Sequence, residues 1–201
     1  ATNLAPPPPA PLELSQPACY PTGSAGLYCL VLAHNSNPLP LDGVSARIIL
    51  AGSDGLPFAG QTAYAALDLI PPGGEVPLAA LFALQPGQQV AATGLELQSA
   101  ILVTEPLSDT HSVVLDVSAP SGAVVDGRWT VTGNVRNPAA SPLPEAWVLL
   151  SVFNAAGQLT GFRTQALWNG IGAGETRQFT TSSDSFSGPV DHGLVLAEGR
   201  P

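Results

Sequence analysis

GRWTVTGNVRNPAASPLPEAWVLLSVFNAAG, residues 127–157, contains two strand-like runs joined by a loop rich in Asn, Pro and Ser. In the first run, Trp129, Val131 and Val135 alternate with polar residues. An alternation with a period of two predicts a half-buried antiparallel strand whose apolar side chains face a core. The second run, residues 147–153, is apolar on both faces. This stretch therefore predicts a pair of β-strands connected by a turn-rich loop.

The same pattern occurs about a hundred residues earlier in the chain. Gly26 and Gly127 are 101 positions apart, and Gly55 and Gly157 are 102 positions apart. The segment NPLPLDGV, residues 37–44, resembles SPLPEAWV, residues 141–148. Offsets that drift by a few residues between strands are typical of insertions in loops. The sequence therefore predicts two copies of one unit.

Both copies consist mainly of strand-like runs. CYPTG, residues 19–23, is instead typical of a turn. The predicted strands are 12–14, 27–34, 44–51, 60–69, 75–83 and 89–103, then 112–117, 128–136, 147–153, 161–168, 175–182 and 190–197. Many short strands of this spacing predict an all-β fold with two tandem Ig-like antiparallel β-sandwiches, residues 12–106 and 107–201. Small antiparallel barrels are the alternative, because a sequence pattern does not determine strand order.

Residues 1–11, ATNLAPPPPAP, form a Pro-rich extended arm ahead of the first sandwich. Consecutive prolines favour polyproline II, which makes no internal hydrogen bonds. The arm is interpreted in two ways, as a spacer or as a segment that docks on another subunit. In the second interpretation the candidate interface residues are apolar, namely Leu4, Pro6, Pro7, Pro8 and Pro9.

The charge of the chain limits its partners and its chemistry. The formal net charge is −9, and the six basic residues are all arginines. Nucleic acid and anionic membrane surfaces are therefore not expected as partners, since no cationic cluster could neutralise phosphates. Membrane insertion is not expected either, because no apolar run is long enough to span a bilayer. Without lysine the chain can form neither a Schiff base nor a phosphate-binding Walker motif.

Several features indicate a secreted or cell-surface protein. The chain contains no methionine, so we expect Ala1 to follow a cleaved export signal. No apolar run reaches the 18 or so residues of a membrane-spanning helix. Cys19 and Cys29 are ten positions apart, and in an oxidising compartment they predict a disulfide that contributes about 2.5–3 kcal/mol. A pair of reduced thiols is the alternative.

The sequence predicts no catalytic residue, no metal site and no cofactor. The three histidines, His34, His111 and His192, lie in separate segments, and no zinc, serine-hydrolase or EF-hand motif occurs. Acidic loop residues could hold calcium, but ordinary turn roles explain them better; they are Asp42, Asp54, Asp68 and Asp126.

The three tryptophans lie in strand patterns of the second copy, where filling a core is the usual role. Trp147 is the best surface candidate among them. Leu149 and Phe153 share its side of the strand, so that side is interpreted as a buried face or an interface.

A family resemblance rests on two stretches of the second copy. They are residues 127–162, which extend the stretch quoted above to Phe162, and GIGAGETRQF, residues 170–179. Together they resemble the FxLYD-type Ig-like domains of bacterial surface proteins. The first copy departs from this pattern, because AGSDGLPF at residues 51–58 replaces the aromatic–small–Gly turn. The resemblance implies a non-catalytic extracellular module. At the repeat offset of 101, Cys29 corresponds to Thr130 on the outward face, so the disulfide is expected to join its strands from outside.

These observations predict a non-catalytic structural subunit of an extracellular assembly. Low charge, strands that are apolar on both faces and a Pro-rich arm would suit a chain that contacts identical neighbours, including head-to-tail contacts in a filament. A monomeric adhesin or spacer that binds a polysaccharide or a protein is the alternative. An enzyme is not expected.

Overall fold

A computed structural model describes residues 12–23, 26–104 and 112–201. Fifteen strands and no helix occur in these ranges, and every strand pair is antiparallel. The expected all-β class is therefore confirmed. In the part of the chain that is described, no strand of residues 12–102 pairs with a strand of residues 113–200.

The first half of the chain forms eight strands joined in one continuous set of ladders. They are β1 (Leu12–Leu14), β2 (Ala18–Thr22), β3 (Gly26–Asn35), β4 (Leu41–Ala51), β5 (Pro57–Ala65), β6 (Leu69–Ile70), β7 (Glu75–Ala83) and β8 (Ala92–Leu102). Strand β3 pairs with β1, β2 and β7, while β4 pairs with β5, β6 and β8. Strand β5 links the two groups, because Tyr64 pairs both with Ser45 on β4 and with Ala79 on β7.

The second half is a two-layered sandwich. Its strands are β9 (Val113–Val114), β10 (Asp116–Val125), β11 (Arg128–Arg136), β12 (Glu145–Phe153), β13 (Leu159–Ala166), β14 (Thr176–Ser183) and β15 (His192–Arg200). One sheet has the order β10-β11-β14 and the other β13-β12-β15-β9. Val131 and Phe179 from the first sheet pack with Val148 and Leu150 from the second in one buried cluster.

The most regular patterns predicted their strands well. Strands β7 and β11 coincide with the predicted ranges 75–83 and 128–136. The turn predicted at residues 19–23 is wrong, because Ala18–Thr22 is strand β2. Residues 118–125 were not predicted as a strand, yet they belong to β10. Both β2 and β10 are edge strands, where proline is tolerated since its missing N–H can face away from the ladder.

The disulfide between Cys19 and Cys29 is present, and the two residues lie directly opposite each other on β2 and β3. The expected outward position is wrong. Cys29 is fully buried and belongs to the main hydrophobic cluster of the first half. The expectation rested on an offset of 101, which aligns Cys29 with Thr130, whereas an offset of 102 aligns it with the buried Val131. A shift of one residue moves every side chain to the other face.

Two buried asparagines that lie 102 positions apart, Asn35 and Asn137, have similar surroundings. Nδ2 of Asn35 lies 3.0 Å from Leu39 O and 2.8 Å from Ile70 O, and its Oδ1 accepts a 2.9 Å hydrogen bond from the N–H of Asn37. Asn137 makes the corresponding contacts, with Nδ2 to Ser141 O and Ile171 O, and Oδ1 to the N–H of Ala139. We call these the two asparagine clasps. Each fixes the loop after its strand by pairing buried backbone groups.

Candidate functional site

The two halves meet through strands that carry apolar residues on both faces. On β3, Val31 and its alternate neighbours face the core of the first half, whereas Tyr28, Leu30 and Leu32 face outward. On β12, Val148 and Leu150 face the core of the second half. Leu149 points to the opposite side and is fully buried in the cluster of the first half. The second apolar face of each strand is thus covered within the chain.

Trp147 lies on the same outward side of β12 as Leu149. It is partly buried and packs against the main cluster of the first half, together with Phe162 and Leu196 from the neighbouring strands. The interpretation of this side as a buried face agrees with that packing, and the contact that covers it comes from the same chain.

Aromatic residues extend the contact along β2 and β3. The Tyr20 hydroxyl donates a buried hydrogen bond of 2.8 Å to the carbonyl of Leu159, 139 residues away. The ring of Phe186 stacks on Tyr20 at 5.7 Å between centroids and lies 5.2 Å from Tyr28. Burial raises the pKa of both tyrosine hydroxyls. Tyr20 therefore acts as a neutral hydrogen-bond donor at the contact between the two halves.

A polar cluster at the other end of the contact between the two halves surrounds Glu198 on β15. The Glu198 side chain is almost fully buried. Its Oε2 accepts hydrogen bonds from the backbone N–H groups of Asp68, at 2.9 Å, and Leu69, at 3.1 Å. Asp68 immediately precedes β6, and Leu69 is its first residue. The carboxylate therefore fixes this part of the first half to a strand of the second half.

Arg200 completes the cluster. Its guanidinium forms an ion pair with Asp68 and lies 3.7 Å from Oε1 of Glu198. The same group sits 4.7 Å from the centroid of the Trp147 ring, within the range of a cation–π contact. Ser112 donates a 3.2 Å hydrogen bond to Asp68. We call Asp68, Ser112, Trp147, Glu198 and Arg200 the polar joint.

Burial raises the pKa of the Glu198 carboxyl above its usual value, and the neighbouring Asp68 charge acts in the same direction. The backbone donors of Asp68 and Leu69 and the Arg200 cation oppose this rise without cancelling it. A buried carboxylate with two backbone donors is well suited to hold two elements together.

The positions proposed from the sequence have different outcomes. Leu4 and Pro6, Pro7, Pro8 and Pro9 lie outside the described residues. The expectation that Trp168 fills a core is wrong, because its side chain is 85% exposed. It lies just beyond the end of β13, where its own carbonyl accepts a 2.9 Å hydrogen bond from Arg177.

The residues that hold the two halves together were not predicted from the sequence. Tyr20 lay in a segment interpreted as a turn, and Glu198 lay at the end of a strand with no motif around it. The only available signal was the apolar character of both faces of residues 27–34 and 147–153.

Within the described ranges, no group of three or more His, Cys, Asp or Glu side chains could hold a metal ion. His34 pairs with Glu75 at 3.7 Å, and His192 with Asp191 at 3.0 Å. A separate finding concerns membranes. No helix that could span a bilayer occurs in the part of the chain that the structure covers.

Comparisons with known proteins add little to this geometry. No family model matches the chain, and no curated protein matches it. Among solved structures, it is similar to a crystal structure of red sea bream transglutaminase, with 14% identity and a TM-score of 0.31. That similarity covers 92% of this chain and 28% of the transglutaminase chain, and it carries no inference about activity.

Proposed function

We propose that this protein is a non-catalytic structural subunit of an extracellular or cell-surface assembly, made of two Ig-like sandwiches that act as one stiff unit. The observation that carries the proposal is the buried contact between the two halves. Leu149 is fully buried against the first half, and Glu198 binds the backbone of residues 68 and 69 from 130 residues away. Such contacts suit a protein that transmits force or fixes spacing, because they suppress bending between the halves.

Two further features support an origin by duplication and a place outside the cell. The asparagine clasps have backbone partners at corresponding positions, 101 to 102 residues apart, as tandem copies of one unit would have. The Cys19–Cys29 disulfide is of the kind that persists in oxidising compartments.

Contacts between copies would build the assembly, and a head-to-tail arrangement would give a filament. The apolar outer faces of β3 and β12 are already used within one chain, so other surfaces must carry these contacts. Exposed apolar side chains are available on β5, β7 and the hairpin between β10 and β11; they are Tyr64, Leu81, Val124 and Val125. The N-terminal arm would add a contact through Leu4.

Electron microscopy of natively purified material tests this function. We expect polymers of regular width from the full chain and none from a chain that lacks residues 1–11. Leu4→Asp should weaken polymerisation while keeping the length of the arm, and Thr2→Asp is the matched control. Intact polymers from the truncated chain would remove the arm from the assembly, and a strictly monomeric native protein would contradict the assembly itself.

A monomeric adhesin is the second candidate, and the exposure of Trp168 favours it. An aromatic ring that is 85% exposed can stack on a sugar ring, and Arg177 and Glu175 lie beside it as polar groups. A glycan array with the wild-type chain and Trp168→Ala tests this candidate. Leu56→Ala, at another exposed apolar position, is the control. Binding that survives Trp168→Ala would exclude this site.

A further inference from the structure

The outer face of strands β4, β5 and β8 is the counterpart of the face through which the second half contacts the first. Four apolar residues form that contact face, and the residues at the same register in the first half are polar or small. The pairs are Trp147 and Ser45, Leu149 and Arg47, Phe162 and Gly60, and Leu196 and Glu96. Arg47 and Glu96 are exposed. The first half therefore lacks, on this face, the apolar side chains that join the two halves.

Arg47 has no carboxylate partner among the described residues. Four of the six arginines form ion pairs with Asp or Glu, and Arg47 is not one of them. Glu96 lies directly opposite Arg47 in the ladder. The Arg47 guanidinium instead crosses β5 above Gly60, where a Cβ atom would lie 2.9 Å from Nε of Arg47. Glycine at position 60 thus makes room for the guanidinium, and both charged groups stay available to a ligand.

A shallow cavity of about 420 Å³ lies beside this guanidinium. Its lining includes Arg47, Ile49, Phe58, Gly60 and Glu96. Arg47 offers only hydrogen-bond donors, and the Glu96 carboxylate offers only acceptors. Hydroxyl groups match both side chains, because a hydroxyl donates and accepts. Glu96 and the net charge of −9 disfavour an anion, and Arg47 disfavours a cation, so the pair fits an uncharged ligand rich in hydroxyls.

An exposed aromatic ring lies further along the same face. Tyr64 is 69% exposed, and it lies four residues from Gly60 on β5, or about 13 Å. Thr62 lies between them, and its hydroxyl donates a 3.1 Å hydrogen bond to Oε1 of Gln98 on β8. An aromatic ring covers the apolar side of a sugar, while polar side chains bind its hydroxyls. The face is therefore long enough, and suitably composed, for a chain of sugars.

We propose that the outer face of β4, β5 and β8 binds a neutral polysaccharide. Tyr64 stacks on one sugar ring, and Arg47 and Glu96 bind the hydroxyls of another. This site lies in the first half and is separate from Trp168 in the second half. The inference does not rest on the proposed assembly, because it requires no contact between copies.

Calorimetric titration of the full chain with oligosaccharides tests the inference. The probes are oligomers of β-linked glucose, mannose and xylose, with an oligomer of galacturonic acid as the acidic comparison. We expect at least one neutral oligomer to bind. Tyr64→Ala and Arg47→Ala should each weaken that binding about tenfold, because they remove the stacking ring or the charged donors. Arg163→Ala, which removes an exposed arginine of the second half, is the charge-matched control and should bind as the wild type does.

Glu96→Gln tests whether charge determines the choice of sugar. It keeps the size of the side chain and removes the charge that repels an acidic sugar. The ratio of affinities for the galacturonic acid oligomer and the neutral oligomer should therefore rise about fivefold. An unchanged ratio would remove Glu96 from the site.

Equal melting temperatures of the variants and the wild type show that they fold. The inference is overturned if no neutral oligomer binds. It is also overturned if Trp168→Ala abolishes the binding while Tyr64→Ala leaves it unchanged, because the sugar would then occupy the second half. Self-association that both Arg47→Ala and Tyr64→Ala abolish, without sugar binding, would assign the face to a second copy. Electron microscopy of the same preparations measures polymers separately, so this inference and the proposed assembly fail independently.

Discussion

The outer faces of β4 and β12 occupy corresponding places in the two halves but have different surroundings. Both the asparagine clasps and the turn glycines Gly55 and Gly157 are 102 residues apart, so Arg47 on β4 corresponds to Leu149 on β12. Arg47 is exposed, whereas Leu149 is fully buried against the first half. The positions that fold each half agree, and the positions that join the halves do not.

The turns show the agreement most clearly. Gly55 has φ 75° and Gly157 has φ 73°, a conformation that glycine adopts without steric cost. The N–H of Gly52 donates to Leu56 O, and the N–H of Asn154 donates to Gln158 O. By contrast, Glu198 and Trp147 interact with the other half and have no counterparts of the same residue type on β8 and β4. The residues that join the two halves are therefore among the positions at which the halves differ.

The strongest test of this comparison exchanges the corresponding side chains. Leu149→Arg places a charge where no partner is available, and we expect a loss of at least about 3 kcal/mol in the free energy of unfolding. Arg47→Leu, the reverse change at the exposed position, should alter stability by no more than about 0.5 kcal/mol. Denaturant unfolding measures both variants.

Small-angle scattering of the same two proteins shows where the damage lies. Leu149 points away from the core of its own sandwich, so the second half should stay folded while the halves separate and the radius of gyration grows. A Leu149→Arg protein with wild-type dimensions and stability would show that the halves are not held by this face.

The asparagine clasps give the next largest effect and should behave alike. Asn35→Ala and Asn137→Ala each remove a fully buried amide that pairs with several backbone carbonyls and with the backbone N–H two residues later. Oδ1 of Asn35 also accepts a 2.9 Å hydrogen bond from Nδ2 of Asn37. Groups left without partners in a buried loop cost about 2–3 kcal/mol. Thermal or denaturant unfolding measures the loss. Asn154→Ala, in an exposed turn, is the control and should cost less; a neutral Asn35→Ala would break the equivalence of the clasps.

Glu198→Ala tests the polar joint with a smaller expected effect. It leaves the part-buried N–H of Asp68 and the buried N–H of Leu69 without their acceptor, at a cost of about 2 kcal/mol. Ser99 is the matched control, since it lies opposite Ser45 on β4 as Glu198 lies opposite Trp147 on β12. If Ser99→Ala and Glu198→Ala lose equal stability in denaturant unfolding, the carboxylate contributes nothing specific.

The fold class could be predicted from the sequence, because strands such as β7 and β11 alternate regularly or are bounded by clear turns. The joint could not, for physical reasons. Glu198 is bound by backbone amides, which leave no residue pattern at positions 68 and 69. Tyr20 precedes Pro21 and lies three residues before Gly23, and the turn-forming preference of those residues predicted a turn where the chain forms a strand. The predicted face of Cys29 depended on the choice between offsets of 101 and 102, and that difference of one residue reverses the face.

The smallest expected effect concerns how stability changes with pH. The contributions of Glu198 and Glu175 to the free energy of unfolding should change in opposite directions as pH falls. Burial raises the pKa of Glu198 in the folded protein, so the folded state binds its proton more tightly than the unfolded state does. Its contribution to stability therefore rises as pH falls through the folded pKa toward the unfolded value. The free energy of unfolding of the wild type minus that of Glu198→Gln should increase with acidity, by at most about 1.4 kcal/mol per pH unit.

Glu175 provides the opposing case within the same chain. The N–H of Gly172 and the Arg177 guanidinium lower the pKa of its carboxyl. Its contribution is present above the unfolded pKa and is lost as pH falls through the folded one, so wild type minus Glu175→Gln should decrease with acidity. Denaturant midpoints of the three proteins across the acid range give both slopes. Slopes of the same sign would mean that Glu198 is not desolvated in the folded protein, and the polar joint would then be open to water.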